Sequence, residues 1–411
     1  MKRLNVLMSA YACEPGEGSE PGVGWHTARE VARHHDVWVL TRANNRAVIE
    51  AELARNPVPS LHFVYYDLPA WARAWKRGGR GIQLYYYLWQ LGVYPVMRRL
   101  ARQLSFDAAH HVTFVKYWAP SSLAFLDLPL LWGPVGGGES TPAAFVSDYS
   151  ARGQRQETLR TWARTLAEYD PLVRLSARRS KLSLAATAAT AQRIKRLSAT
   201  PVRVVSQVGA PRAGLERALS TVDTKAQRPW RIVSVGNLLH WKGFHLALRA
   251  FAAAELKVPY DILGSGPERG NLEALARELG VDAYVTFHGK VSLDRVGTML
   301  SEAHILLYPS LHDSGSFVCL EALSAATPVV CLDLGGPGVL VADEVGVKVP
   351  AHTPQQAVSE LASALKLLTG DRELWRRKAL AAPRHVLEHH TWEAKGETFA
   401  ALYRKLLSEP G

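Results

Sequence analysis

The stretch from His304 to Gly338 constrains the fold of this chain more than any other. Ile305 to Tyr308 is a short apolar run stopped by Pro309, which is how a buried parallel strand ends. Ser314, Gly315 and Ser316 are small residues where a helix over 317–326 opens, and a helix start offers free N–H groups and a positive dipole end to a phosphate. Pro328 to Leu332 reads as a second buried strand, with Gly335, Gly336 and Gly338 at its carboxyl end, where open α/β sheets take their ligands. Glu321 falls inside the intervening helix, roughly one turn beyond its start, in reach of a hydroxyl on a ligand whose phosphates sit there. A sugar nucleotide needs that arrangement; an ordinary parallel-sheet unit with a solvated Glu321 satisfies the same spacing.

Asp313 to Glu321, followed by Ala322 and by Pro328-Val329-Val330, resembles the Glu-x7-Glu signature of the retaining glycosyltransferases of family 4, which have the GT-B fold. The resemblance implies that Glu321 holds the nucleotide ribose and that Asp313, standing where the family has Glu, faces the donor sugar. It also implies that backbone N–H groups along Ser314, Gly315, Ser316 and Phe317 hold the phosphates, with Gly315-Ser316 replacing the usual Phe-Gly. Upstream, the run from Gly236 and Asn237 to Lys242 and Gly243 resembles the family's Gly-Arg-x4-Lys-Gly motif, whose Arg and Lys neutralise the donor diphosphate. Lys242 and Gly243 match; Asn237 replaces the Arg. Gly264-Ser265-Gly266-Pro267 matches the family's Gly-x-Gly-Pro turn beside the nucleotide, and His288-Gly289 matches the strand end that touches the nucleobase.

With 411 residues, 47% of them apolar, the chain suits two α/β domains of roughly 200 residues each. The expected division is an acceptor-side Rossmann-like domain over 1–209, a linker over 210–228, a sugar-nucleotide domain over 229–390, and a last helix over 391–411 that crosses back to the first domain. The resemblance implies that the two parallel sheets face an interdomain cleft. Cys13, Cys319 and Cys331 are too scattered for a disulfide framework or a zinc site and suit a reducing compartment, so the cytoplasm is the expected location. Leu4 to Ala10 is too short and too soon broken by Glu14 and Pro15 for a signal peptide, and no run approaches a membrane span. The net charge of +12 calls for an anionic partner: a sugar nucleotide, an acidic lipid surface or nucleic acid. Nucleic acid drops out, since no reader module or dense Lys/Arg tract is present.

In the first half, Asn5 to Ser9 reads as a strand, then a long loop carries Gly16, Gly18, Gly22 and Gly24 before a helix from Trp25. Gly22 and Gly24 resemble the family's amino-terminal glycine loop beside donor phosphate and acceptor. From Pro69 to Leu104, Trp71, Trp75, Tyr85, Tyr86, Tyr87, Trp89 and Tyr94 alternate with Arg and Lys, a pattern that suits either an anionic membrane interface or a core with a solvated basic face. Trp132 to Glu139 is a turn-rich segment after a strand, and Glu139 is its candidate carboxylate for an acceptor hydroxyl. The family often has a His after this strand; here Gly or Pro stands there, and His110 and His111 read as core residues. Ala151 to Arg179 is a basic helical region.

Together these residues lead to a hexosyl-type glycosyltransferase, retaining and metal-independent, moving sugar from a nucleotide-sugar co-substrate to a glycan, lipid-linked or small-molecule acceptor. It needs no cofactor, and no Asp-x-Asp metal motif occurs. Lys242, helix dipole and backbone N–H groups are then left to carry the diphosphate charge. A silent sugar-nucleotide or glycan binder, a GT-B epimerase and a phosphorylase are the alternatives. A dehydrogenase is excluded by the glycine spacing.

Overall fold

The computed structural model describes residues 2–73, 81–114 and 116–408. They cluster into two compact units: one made of the chain up to Gly138, Trp162–Gln207 and the chain from Trp392, the other of Glu139–Thr161 and Val208–Thr391.

The first unit holds a parallel sheet of seven strands, β1 (Asn5–Ala10), β2 (Asp36–Arg42), β3 (Leu61–Tyr66), β4 (Ala108–Thr113), β5 (Leu130–Val135), β6 (Ser180–Ala185) and β7 (Val202–Val204), in the order β3-β2-β1-β4-β5-β6-β7. The second holds six, β8 (Ile232–Val235), β9 (Tyr260–Leu263), β10 (Val285–Gly289), β11 (Ile305–Tyr308), β12 (Val329–Leu332) and β13 (Gly346–Val349), in the order β10-β9-β8-β11-β12-β13. Both are Rossmann-like: strands alternate with helices, and strand order reverses once, between β1 and β4 and between β8 and β11. Every residue of β11 and β12 is buried, as expected for apolar runs covered by helices on both faces.

Several sequence expectations change. The first helix begins at Ser19, so Gly22 and Gly24 lie inside it rather than in a loop; a side chain at Gly24 would meet the Ala12 carbonyl at 2.1 Å, so the glycine serves helix packing. Gly335, Gly336 and Gly338 open a short helix, Gly335–Leu340. The stretch read as a linker carries helices Leu215–Ser220 and Val222–Ala226, because Leu215 and Val222 are buried in the second unit. Glu139–Thr161, read with the first half, groups with the second: Phe145 is fully buried in its core, and Asp148 pairs with Arg249 at 3.3 Å. Of the aromatics between 69 and 104, Tyr85, Tyr86 and Trp89 are core residues, whereas Trp71 is exposed; Trp75, Lys76, Arg77 and Arg80 lie outside the described residues. His110 and His111 are buried, hydrogen-bonded to Tyr403 and to Tyr86 and Ser121.

Helix Trp392–Ser408 belongs to the first unit, where Gly396 lies against Glu30 and Trp392 stacks on His26. Its Lys395 is buried and donates to the Ser206 carbonyl. In the second unit, buried Lys225 donates to the carbonyls of Ala325 and Ala326 at 3.3 and 3.2 Å and to Thr327 Oγ1 at 2.7 Å, closing the carboxyl end of helix Phe317–Ser324. Burial pushes the pKa of each amine down to about 7. Between that value and an unfolded value of about 10.4, the folded chain binds fewer protons than the unfolded one, so stability rises with pH across that window. Lys225→Met should flatten the rise for the second unit, as read from urea unfolding at several pH values; an unchanged slope would show that Lys225 keeps its proton.

Candidate active site

The reversal of strand order in the second sheet decides where the site forms. β8 and β11 are neighbours, paired Ile305 to Ile232, so the loops that follow them, 236–243 and 309–316, leave adjacent strand ends. The loops are locked together by the Leu311 N–H, which donates to the Trp241 carbonyl at 2.8 Å. Gly243 has φ +71°, and a side chain there would lie 1.9 Å from the Pro309 carbonyl.

This junction brings Lys242 and Asp313 together. Lys242 Nζ donates to Asp313 Oδ2 at 2.7 Å and to the Tyr308 hydroxyl at 2.7 Å, and that hydroxyl donates to the same carboxylate oxygen at 2.5 Å. Lysine and aspartate side chains are about four-fifths buried, at 18% and 21% exposure. Burial works to raise the pKa of Asp313, but the Lys242 ammonium, the Tyr308 hydroxyl and the Gly315 N–H hold it below the ordinary carboxylate range.

The remaining loops form a ledge beside this pair. Gly236 N–H donates to the Leu263 carbonyl and Gly264 N–H to the Gly289 carbonyl, both at 2.9 Å, so the sheet ladder continues past the ends of β8, β9 and β10. Gly264, at φ +141°, cannot carry a side chain, which would fall 1.8 Å from the Gly236 carbonyl. Gly266 lies against Leu238, whose N–H donates to the Ser265 carbonyl at 3.0 Å. Asn237 is exposed on the ledge. His288 is held by Asp261, Nε2 to Oδ1 at 2.6 Å.

On the other side of Asp313, Ser314, Gly315 and Ser316 lead into helix Phe317–Ser324. Ser316 sits in the left-handed region at φ +53°, which costs a non-glycine residue about 1 kcal/mol or more, and its buried Oγ has no hydrogen-bond partner among the described residues. Such strain and an unused hydroxyl at a helix start suit an anionic ligand. Glu321, further along this helix, is exposed at its surface and accepts no hydrogen bond among the described residues, while desolvation by the protein packed around it raises its pKa. Glu139 is buried and accepts the Ser314 hydroxyl at 2.6 Å, so it is joined to this loop.

Sequence reasoning missed a layer behind the pair. His312 stacks on Trp241 with ring centroids 5.1 Å apart and lies 3.2 Å from Thr141 Oγ1. Glu157, buried, stands 3.7 Å from His240 and 3.9 Å from His312, and Arg160 bonds His312 Nε2. Burial lowers the pKa of His240, which favours the neutral ring. These contacts clamp the residues flanking Lys242 and Asp313 from the 139–161 segment. Tyr308, which reads in sequence as the last apolar position of a strand, gave no signal of its polar role.

Comparison with known proteins falls on this same unit: residues 217–380 match the family model described as glycosyl transferases group 1. The D-inositol 3-phosphate glycosyltransferase of Mycobacterium tuberculosis is 33% identical over 187 residues, covering 44% of this chain and 38% of its own length. That of Rhodococcus erythropolis is 31% identical over 185 residues, covering 42% and 41%. The matched stretch thus spans about two fifths of these curated relatives. Sucrose-phosphate synthase from Thermosynechococcus elongatus superposes with a TM-score of 0.65 at 18% identity, covering 99% of this chain and 100% of that one. WaaG, a glycosyltransferase involved in lipopolysaccharide biosynthesis, gives 0.57 at 17%, covering 97% and 99%. HepE of Anabaena, solved with UDP and glucose, gives 0.59 at 16%, covering 98% and 100%. The fold is GT-B.

Removing one partner of a largely buried ion pair strands the other, so Asp313→Asn should cost the second unit roughly 3 kcal/mol at neutral pH. Because the Asp313 pKa is lowered, its contribution is present above the unfolded value of about 3.9 and is lost as pH falls through the folded value. Wild type and variant should converge in acid; urea midpoints that coincide at pH 7 would show the pair to be energetically idle.

Proposed function

We propose that this chain is a retaining, metal-independent glycosyltransferase that moves a hexosyl group from a nucleotide-sugar donor to a glycan, lipid-linked or small-molecule acceptor. The observation that carries the reading is the Lys242, Tyr308 and Asp313 triangle beside a strained helix start with an unpartnered serine. A donor diphosphate has the charge to compete for Lys242. As its oxygens take the ammonium, Asp313 is released to accept hydroxyls of the sugar, and Glu321 is free to accept those of the ribose. In transfer the bond from the anomeric carbon to the phosphate oxygen breaks, and its electron pair leaves with the nucleoside diphosphate. The acceptor oxygen bonds the same face of that carbon, and the acceptor proton passes to the departing phosphate oxygen. The chain needs no cofactor in this scheme: Lys242 and the N–H groups at Phe317–Ser324 stabilise the growing negative charge.

The group 1 match and the names of the matched relatives support a transferase over a silent binder. The acceptor is not copied from those relatives, since they align over two fifths of their length. We place the reaction in cytoplasmic synthesis of cell-surface polysaccharide or glycoconjugate. A lipid-linked acceptor would bring the protein to an anionic membrane surface.

A thermal-shift screen of sugar nucleotides should find one that stabilises the chain by about 2.7 kcal/mol at a hundredfold its Kd. With that donor, Lys242→Ala should lower turnover about a hundredfold, the effect of losing one preorganised donor, with a smaller change in affinity. Glu321→Ala should instead weaken donor binding by roughly tenfold. Donor binding without hydrolysis or transfer to any acceptor would replace the transferase with a binding protein.

A further inference from the structure

Helix Ala151–Ala167 carries charge on its inward face and an apolar stripe on its outward one. Its inward residues are charged: Glu157 faces His240 and His312, and Arg164, 2% exposed, donates to the Gly137 carbonyl. Just past its end Glu168 pairs with Arg193 at 2.8 Å. One stripe of its outward face is apolar. Trp162, Leu166 and, just past the helix end, Tyr169 are 66–70% exposed, and Leu159, on the same face one turn earlier, is 66% exposed. Arg152 and Arg155 continue the line toward the helix start, at the spacing 152, 155, 159, 162, 166, 169, which keeps one face of a helix.

We propose that this face docks on the headgroup region of an anionic lipid bilayer. The charge is complementary: two exposed arginines lead the stripe, the chain carries a net +12, and both carboxylates of the 151–169 stretch, Glu157 and Glu168, are turned inward. The residue types fit an interface, where the amphipathic rings of Trp and Tyr settle between acyl chains and headgroups. Arg174 lies 5.1 Å from the Tyr169 ring centroid, so the ring is backed by a cation. A second protein copy fits less well. Four side chains expose on the order of 500 Å², short of the roughly 800 Å² per partner of a stable interface. The stripe is also too short for a coiled coil, which takes at least three heptads or so.

The docking surface rests on the proposed lipid-linked acceptor only for its purpose. Vesicle binding is measured with neither donor nor acceptor, so it stands or falls apart from transfer. The full chain should co-float with vesicles of phosphatidylcholine and phosphatidylglycerol, and more weakly with phosphatidylcholine alone. Trp162→Ser/Leu166→Ser/Tyr169→Ser should lower binding to the anionic vesicles by roughly tenfold or more, with an unchanged melting temperature because the three side chains are exposed. Arg152→Glu/Arg155→Glu should weaken binding to anionic vesicles while leaving phosphatidylcholine binding alone. Trp71→Ser, at an exposed tryptophan outside the stripe, should bind as wild type. Equal flotation of wild type and the triple variant, or no flotation of wild type, overturns the proposal. So does a dimer in sedimentation velocity that the triple substitution abolishes, which would assign the face to a second copy.

Discussion

The contact between Lys242 and Asp313 depends on one topological fact and in turn organises the site around it. Only because β11 lies beside β8, across some seventy residues of intervening chain, do an ammonium and a carboxylate from two loops meet at 2.7 Å. Neither could be buried alone without a penalty of several kcal/mol. The pair therefore fixes both loop conformations, and Tyr308 holds the geometry by donating to one partner and accepting from the other. The positive charge is thereby desolvated and aimed in advance, the condition that electrostatic preorganisation requires.

Behind this pair the molecule invests in polar contacts rather than apolar packing. Glu157, Arg160, His240 and His312 form a cluster next to the motif residues, with Glu157 and His312 buried and Arg160 and His240 partly so. Glu139 reaches the loop over 314–316 through Ser314. Low dielectric strengthens such contacts when all are satisfied and makes them costly when one is lost. Rigid placement of Lys242 and Asp313 is the expected return.

How much of this could be read in the sequence follows from which interactions are local. Strands β11 and β12, the helix at 317 and the Gly236 and Asp313 motifs taken singly are legible, since apolar runs, small residues and the family resemblance all report on neighbouring chain; that the two motifs meet is not, because it rests on β8 lying beside β11. Gly22 and Gly24 read as loop because glycine serves a turn and a tight helix contact equally well, and at Gly24 only the nearby Ala12 carbonyl decides between them. Tyr85, Tyr86 and Trp89 carry the same aromatic and basic pattern as a membrane anchor, yet they are core, whereas Trp162 and Leu166 face outward from a helix that composition marks only as basic. The 139–161 segment is invisible for a related reason: its partners, among them His240, Arg249 and His312, lie far downstream, up to 171 residues away for Thr141 and His312.

That segment has a consequence for biogenesis. Its residues leave the ribosome ahead of the whole sheet they pack against, and at translation rates of about 5–20 residues per second they wait roughly ten to fifty seconds for Thr391 to emerge. The first unit waits longer, since it is completed by helix Trp392–Ser408. Neither unit can then close in the usual order of synthesis, amino-terminal half first. A nascent chain that has emerged only as far as Asp371 would present two unfinished cores at once, so folding depends on protection until helix Trp392–Ser408 has emerged.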